Sequence, residues 1–152
     1  MEYLKIVFAF ILCFFIYLVI PIESKSSIEY NLPSEPLQVY NYLTSSYFPR
    51  SIIGPGLSKE ILKENEKVQI EVIESVVPFK FALEIKSSSR FSQVSYFYTL
   101  EQNTEGGTHL KVQHTWTPQP GLYGTLMNRF FYKQENDRNL ATEREVLLSQ
   151  WK

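Results

Sequence analysis

Apolar and polar residues alternate along most of the chain between Val68 and Thr117. In three segments the apolar residues recur at every second position, which is the period of a half-buried β-strand. These segments run from Phe79 to Lys86, from Val94 to Leu100 and from His109 to Trp116. The links at 87–90 and 103–107 are short, so neighbouring strands should pair antiparallel. The pattern therefore predicts an antiparallel meander.

The residues before this meander predict an earlier strand, a short helix and two further strands. Ser27 to Leu32 alternates as a strand should, and the helix that follows can be capped by Ser34 and end near Thr44. A loop rich in Pro and Gly comes next. Two more strands, Leu57 to Lys63 and Lys67 to Val77, are expected around a polar turn at 64–66.

A long amphipathic helix is predicted at the end of the chain, from Leu122 or Gly124 to Trp151. Its middle, from Lys133 to Asn139, is entirely polar. This interruption indicates either a solvated stretch or a place where Lys133 or Asp137 lines the mouth of a pocket. The apolar stripe that should face the sheet consists of Leu122, Leu126, Phe130, Leu140, Leu147 and Trp151.

A hydrophobic leader precedes all of these elements. No charged residue occurs from Ile6 to Ile22, a length of roughly 25 Å as a helix. We therefore expect a transmembrane helix within residues 1–22 and a polar spacer at 23–26. The small residues of a signal-peptide cleavage site are missing, which favours an uncleaved single-pass anchor; a cleaved signal segment and secretion are the alternative. Lys5 and the α-amino group, against Lys25, favour a domain outside the cytoplasm.

The composition excludes several functional classes. The 15 basic and 16 acidic residues give a net charge of −1, which argues against a nucleic-acid partner. The one cysteine, Cys13, lies in the leader, so the domain has no disulfide. With two histidines a zinc site is not expected. Nucleophile motifs and phosphate-binding loops are also missing from the sequence, and we expect neither a metal nor a cofactor.

The order of elements resembles the helix-grip fold of the START-like superfamily, which includes the polyketide cyclase/dehydrase (SRPBCC) proteins. The resemblance is carried by the strand-to-helix entry from Ile28 to Pro36, the hairpin from Thr99 to Leu110 and the strand from Val112 to Trp116. It covers residues 27–152. It implies an α+β domain in which a curved antiparallel sheet grips the C-terminal helix over an apolar cavity. The region from Phe48 to Gly56 departs from the pattern, because its Pro and Gly content disfavours the usual second short helix.

The predicted strand pairing places specific side chains on the inner face of the sheet. Pairing across the 103–107 turn sets Tyr96 opposite His114, and pairing across the 87–90 turn sets Phe81 beside Tyr96. One layer should then contain Ile70, Phe81, Tyr96 and His114. The candidate ligand-binding residues are Ile70, Phe81, Tyr96, Tyr98, His114, Trp116 and Phe130.

His114 has three interpretations. It is a core histidine whose ring is satisfied by Tyr96, or it orients a ligand carbonyl or hydroxyl, or it moves a proton during catalysis with Tyr96. His109 lies on the opposite face of the same strand.

Three functions follow from these readings. The leading one is a membrane-anchored START-like domain that binds a hydrophobic small molecule or lipid without turnover. An enzyme of cyclase or dehydratase type that uses His114 and Tyr96 is the second. The third is a non-catalytic protein-interaction module of unknown partner, which a cavity much smaller than roughly 300 Å³ would favour.

Overall fold

The computed structural model describes residues 2–49, 51–63, 65–86 and 88–151. The predicted turns at 64–66 and 87–90 fall partly outside these residues, since Glu64 and Ser87 are not among them. The elements are α1 (Glu2–Val19), β1 (Ser24–Leu32), α2 (Pro36–Tyr47), β2 (Ser58–Lys63), β3 (Glu66–Val76), β4 (Lys80–Ile85), β5 (Phe91–Gln102), β6 (Thr108–Pro118), α3 (Leu122–Met127), a π-helical turn (Asn128–Tyr132) and α4 (Lys133–Gln150).

The six strands form one curved antiparallel sheet in the order β1-β6-β5-β4-β3-β2. The chain therefore has the predicted α+β architecture. Alternation decides which side chains are buried: along β6 the buried residues fall at every second position from Thr108 to Pro118. The inner face is covered by α4, which packs on β1, and by α2, which packs on β4 and β5. No helix is present between 51 and 57 in the described residues.

The pairing of β5 with β6 matches the prediction. Tyr96 lies opposite His114 and Leu100 opposite Leu110. The tight turn that sets this register contains Gly106, which has a φ of 84° that glycine adopts without steric cost. Gly107 has a different role, because a side chain there would collide with the carbonyl oxygen of Leu32 at the end of β1.

The pairing of β4 with β5 differs from the prediction by two residues. Phe81 lies opposite Tyr98, and Leu83 takes the position beside Tyr96. The predicted layer of Ile70, Phe81, Tyr96 and His114 is therefore wrong. The reason is that the last β4–β5 pair is Ile85 with Val94, and the chain between them is longer than a tight turn.

The C-terminal helix is continuous, but one turn of it is π-helical. This turn places Tyr132 in the core, whereas Phe130 remains 63% exposed. Leu122 is also 44% exposed, so the predicted apolar stripe is wrong at these two positions, while Leu140 and Leu147 are buried. Asn128, also buried there, accepts a hydrogen bond from Trp116 Nε1 at 2.6 Å and donates to Ser24 Oγ at 2.9 Å. The π-turn therefore joins the helix to the sheet at Ser24, the first residue of β1. Strand β1 begins three residues earlier than the predicted start at Ser27.

Helix α1 contacts the domain at its C-terminal end, where Arg129 donates to the carbonyl of Tyr17 at 3.2 Å. Within the described residues no helix is long and apolar enough to cross a membrane. The charge-free part of α1, from Ile6 to Val19, is about 21 Å long at 1.5 Å per residue, whereas the hydrocarbon core is about 30 Å thick. The predicted transmembrane helix and the single-pass membrane location are therefore wrong.

Candidate functional site

A cavity of about 400 Å³ lies between the inner face of the sheet and α4. Its apolar wall is formed mainly by strands β2 to β6, and α4 supplies a polar wall on the other side. The lining residues are Tyr47, Ile61, Lys63, Ile70, Leu83, Ile85, Arg90, Phe91, Val94, Tyr96, His114, Trp116, Glu135, Asn136, Asn139 and Glu143.

The structure brings together four of the seven predicted ligand-binding residues. Ile70, Tyr96, His114 and Trp116 line the cavity. Two others, Phe81 and Tyr98, are buried in the adjoining core, where their rings stack with centroids 6.0 Å apart. Phe130 does not contribute, because its side chain lies on the surface of the π-helical turn and does not line the cavity.

His114 is the most buried polar residue of the cavity wall, with 3% of its surface exposed. Neither ring nitrogen has a hydrogen-bond partner within the described residues. Nε2 lies 3.5 Å from Glu143 Oε2, which is longer than an ordinary hydrogen bond of this type. Tyr96 packs edge-on against the imidazole at a centroid distance of 4.3 Å.

The hydroxyl of Tyr96 is directed to another partner. Lys63 Nζ, at the end of the edge strand β2, donates to the Tyr96 hydroxyl at 2.8 Å. Tyr96 therefore contacts His114 through its ring edge and not through a hydrogen bond, so the interpretation of His114 as a core histidine satisfied by Tyr96 has no hydrogen bond to support it.

Glu143 lies close to several tyrosines as well as to His114. Burial raises the pKa values of the Tyr30, Tyr47 and Tyr98 phenols, and the negative charge of Glu143 raises all three further. The hydroxyls of Tyr47 and Tyr98 are 3.0 Å apart and hydrogen-bonded to each other. These groups therefore remain neutral and present hydroxyls near the Glu143 carboxylate.

A salt bridge stands at the mouth of the cavity. Arg90 binds Glu135 through both of its terminal nitrogens, and its Nη1 donates to Oε1 at 3.1 Å. The Arg90 guanidinium also stacks over the Tyr132 ring at 4.7 Å. The hydrogen bonds from Arg90, more than its charge alone, lower the pKa of the Glu135 carboxyl.

The polar stretch of the C-terminal helix contributes to the cavity through residues other than the two that the sequence indicated. Glu135, Asn136 and Asn139 line the cavity, whereas Lys133 and Asp137 are exposed. Glu143, Lys63 and Arg90 also line the cavity and are not among the residues predicted from the sequence. A signal for the helix residues exists in their spacing, since positions 136, 139 and 143 fall on one helical face.

The described residues contain no group of three or more His, Cys, Asp or Glu side chains that could hold a metal ion. His109 lies on the outer face, where its Nδ1 is 3.0 Å from Asn31 Oδ1 and its Nε2 is 3.7 Å from Glu29.

Known structures share this architecture at low sequence identity. The protein Mll3558 from Rhizobium loti matches at 14% identity with a TM-score of 0.60, over 86% of this chain and 98% of the other. Ara h 8.0201 matches at 18% identity with a TM-score of 0.52, over 84% and 99% respectively. For norcoclaurine synthase from Thalictrum flavum the values are 8%, 0.56, 76% and 81%.

The fold is a helix-grip fold. No protein-family model matches the sequence. A search of curated proteins also gives no match. The structural likeness therefore establishes the architecture, and the residues of the cavity must carry any argument about function.

Proposed function

We propose that residues 27–152 form a START-like domain that binds a hydrophobic small molecule or lipid in the cavity between the sheet and α4, without turnover. The observation that carries the proposal is the cavity itself. Its volume of about 400 Å³ lies within the range of roughly 300–1,000 Å³ typical of small-molecule sites. A module whose interior was filled by its own side chains would not retain such a space.

The character of the wall indicates the kind of ligand. Ile70, Leu83, Ile85 and Val94 form a continuous apolar surface on three adjacent strands. Burying a ligand's apolar surface against them is favourable by about 25 cal/mol per Å². The polar residues of α4 occupy the facing side and His114 adds a polar group on β6 of the sheet wall, so an amphipathic molecule matches the cavity better than a pure hydrocarbon.

A cavity-filling substitution tests the proposal. Ile85→Trp places a larger side chain in the cavity, and Ile73→Trp adds the same side chain at a position 37% exposed on the outer face. Delipidated wild-type protein and Ile73→Trp are expected to take up a fluorescent fatty acid, and Ile85→Trp is expected to lose most of this uptake. Native mass spectrometry should show the same order.

The contrary result would be no uptake of fluorescent fatty acid by wild-type protein together with no bound apolar molecule after expression. Equal uptake by the two tryptophan variants would also contradict binding in this cavity. Val94→Phe is a second filling variant for the case in which Ile85→Trp does not fold, and folding is checked by thermal unfolding.

A second candidate is an enzyme of cyclase or dehydratase type. It is favoured by the contact between Tyr96 and His114, with Lys63 on the Tyr96 hydroxyl and Glu143 beside the imidazole. This arrangement places groups that can donate and accept protons around one cavity. The enzyme reading requires that a molecule recovered from the cavity be converted by wild-type protein and left unchanged by folded His114→Ala.

A further inference from the structure

The hydrogen-bonding capacity of one part of the cavity wall is left unused by the fold. Both nitrogens of His114 are buried without a partner in the described part of the chain, and Glu143 Oε2 lies 3.5 Å from Nε2. A buried polar group without a partner costs free energy, so a fold that retains one is poised to bond something else. Both residues line the same cavity.

We propose that the cavity recognises its apolar ligand through a hydroxyl group, alcoholic or phenolic, that binds between His114 Nε2 and the Glu143 carboxylate. This inference rests on the proposed function, because it presumes that the cavity takes a ligand. It adds the chemical class of that ligand and the two residues that select it.

The direction of the hydrogen bonds follows from the position of the carboxylate. A negative charge beside Nε2 favours the tautomer in which Nε2 carries the proton. Nε2 is then a donor and Glu143 is an acceptor, on either side of a gap of 3.5 Å. An oxygen beside this gap can lie at about 2.7–2.9 Å from both atoms. It must accept from one and donate to the other.

A hydroxyl meets both demands with a single atom. A carbonyl or ether oxygen would accept from His114 but would face the Glu143 carboxylate without a proton to donate. An ammonium group would donate to Glu143 but would oppose the Nε2 proton. A carboxylate would be repelled by Glu143. The pair therefore selects the hydroxyl over the other common polar groups.

The surroundings of the pair strengthen its selectivity. The Tyr47 and Tyr98 hydroxyls already bond each other, and the Tyr96 hydroxyl accepts from Lys63. Across the sheet from His114 stands Ser26, which is also buried and whose Oγ has no partner in the described residues. The Tyr30 hydroxyl is likewise buried without a partner in the described residues, but neither Ser26 nor Tyr30 lines the cavity, whereas His114 and Glu143 do.

Three probes of nearly equal shape separate the alternatives. Naphthalene is purely apolar, 2-methoxynaphthalene adds an acceptor, and 2-naphthol adds a hydroxyl. Binding of each to the full-length wild-type chain is measured by equilibrium dialysis. We expect 2-naphthol to bind about tenfold more tightly than either of the others, the effect of one charge-assisted hydrogen bond.

Two variants remove one partner each. His114→Leu removes the donor, and Glu143→Met removes the acceptor with a side chain of similar length. In both, the preference for 2-naphthol over naphthalene should fall to within about twofold. Glu145→Met is the matched control, because it makes the same replacement two residues along on an exposed part of α4, and it should keep the wild-type preference.

The outcomes distinguish this inference from the proposed function. If wild-type protein binds none of the three probes, the proposed function fails and the inference fails with it. If all three bind with similar affinity, the cavity is a ligand site and the hydroxyl inference alone is overturned. A tenfold preference that persists in folded His114→Leu and Glu143→Met also overturns it.

Discussion

His114 and Trp116 occupy successive inward positions on β6, yet only Trp116 has its polar atom hydrogen-bonded. Trp116 Nε1 donates to Asn128 at 2.6 Å, and Asn128 in turn donates to the carbonyl of Ile22 and to Ser24 Oγ. His114, equally buried, has two nitrogens without partners in the described residues. The Trp116–Asn128 arrangement is a hydrogen-bonded structural junction between the C-terminal helix and the sheet. The His114 nitrogens remain available to hydrogen-bond a ligand.

This difference separates a polar group that stabilises the fold from one that is available for function. Both lie on the same strand and line the same cavity. The free energy of unfolding should therefore change in opposite directions when the two regions are altered. Removing a bonded group loses hydrogen bonds, whereas removing a buried group without a partner removes its desolvation cost.

The largest effect is expected at the Trp116 junction. Asn128→Leu removes three hydrogen bonds and leaves the indole N–H buried without an acceptor. The free energy of unfolding should fall by about 3 kcal/mol. Urea unfolding at neutral pH measures it. Asn139→Leu, an exposed residue of α4, is the control and should change the value by less than about 0.5 kcal/mol. If Asn128→Leu also changed the free energy of unfolding by less than about 0.5 kcal/mol, the proposed difference between the Trp116 junction and His114 would be wrong.

A change of opposite sign is expected at His114. His114→Leu replaces an unbonded imidazole by an apolar side chain in an apolar wall, and the free energy of unfolding should rise by about 1 kcal/mol. The same urea titration tests it. A loss of more than about 2 kcal/mol would mean that the imidazole is already hydrogen-bonded in the fold, and His114 would then resemble Trp116.

The smallest effect concerns the salt bridge at the cavity mouth. Arg90 lowers the pKa of Glu135, so the pair stabilises the folded chain when the carboxyl is ionised. Wild-type protein should be more stable than Glu135→Gln at neutral pH, by less than about 1 kcal/mol because the pair is partly exposed.

This advantage should disappear as the pH falls below the ordinary glutamate pKa of about 4.3 and the carboxyl is protonated. Thermal unfolding of both proteins across this range is the measurement. A difference that stays constant with pH would show that the ion pair contributes nothing through its charge.

Short turns explain which parts of the sheet could be predicted from the sequence. Between β5 and β6 the turn is tight and Gly106 takes a positive φ, so Tyr96 and His114 are paired as expected. Between Ile85 and Val94 the chain also makes contacts outside the sheet, among them the Arg90 bond to Glu135. Alternation gives the face of a residue on a strand, but it does not give the register when the connecting loop is long.

The helical side of the cavity was harder to predict for a different reason. Leu122 and Phe130 belong to the predicted apolar stripe but are exposed. The buried face of this stretch is formed instead by Gly124, Thr125, Asn128 and Tyr132, and the polar side chains of Thr125 and Asn128 give no apolar signal in the sequence. Glu143 lies among consecutive polar residues, from Thr142 to Glu145, and nothing in the sequence pattern distinguishes it from its neighbours. Its role depends on a contact with His114 on β6, and that contact follows from the packing of α4 across the sheet.

The chain's two histidines allow the most direct test of the central claim that the cavity binds a ligand beside His114. Imidazole ¹⁵N chemical shifts are followed by NMR while 2-naphthol is added to the wild-type chain. The signals of His114 should shift and saturate, while those of His109, on the outer face, should stay in place. His114 signals that do not move at saturating probe, or that move only in parallel with those of His109, would contradict the account.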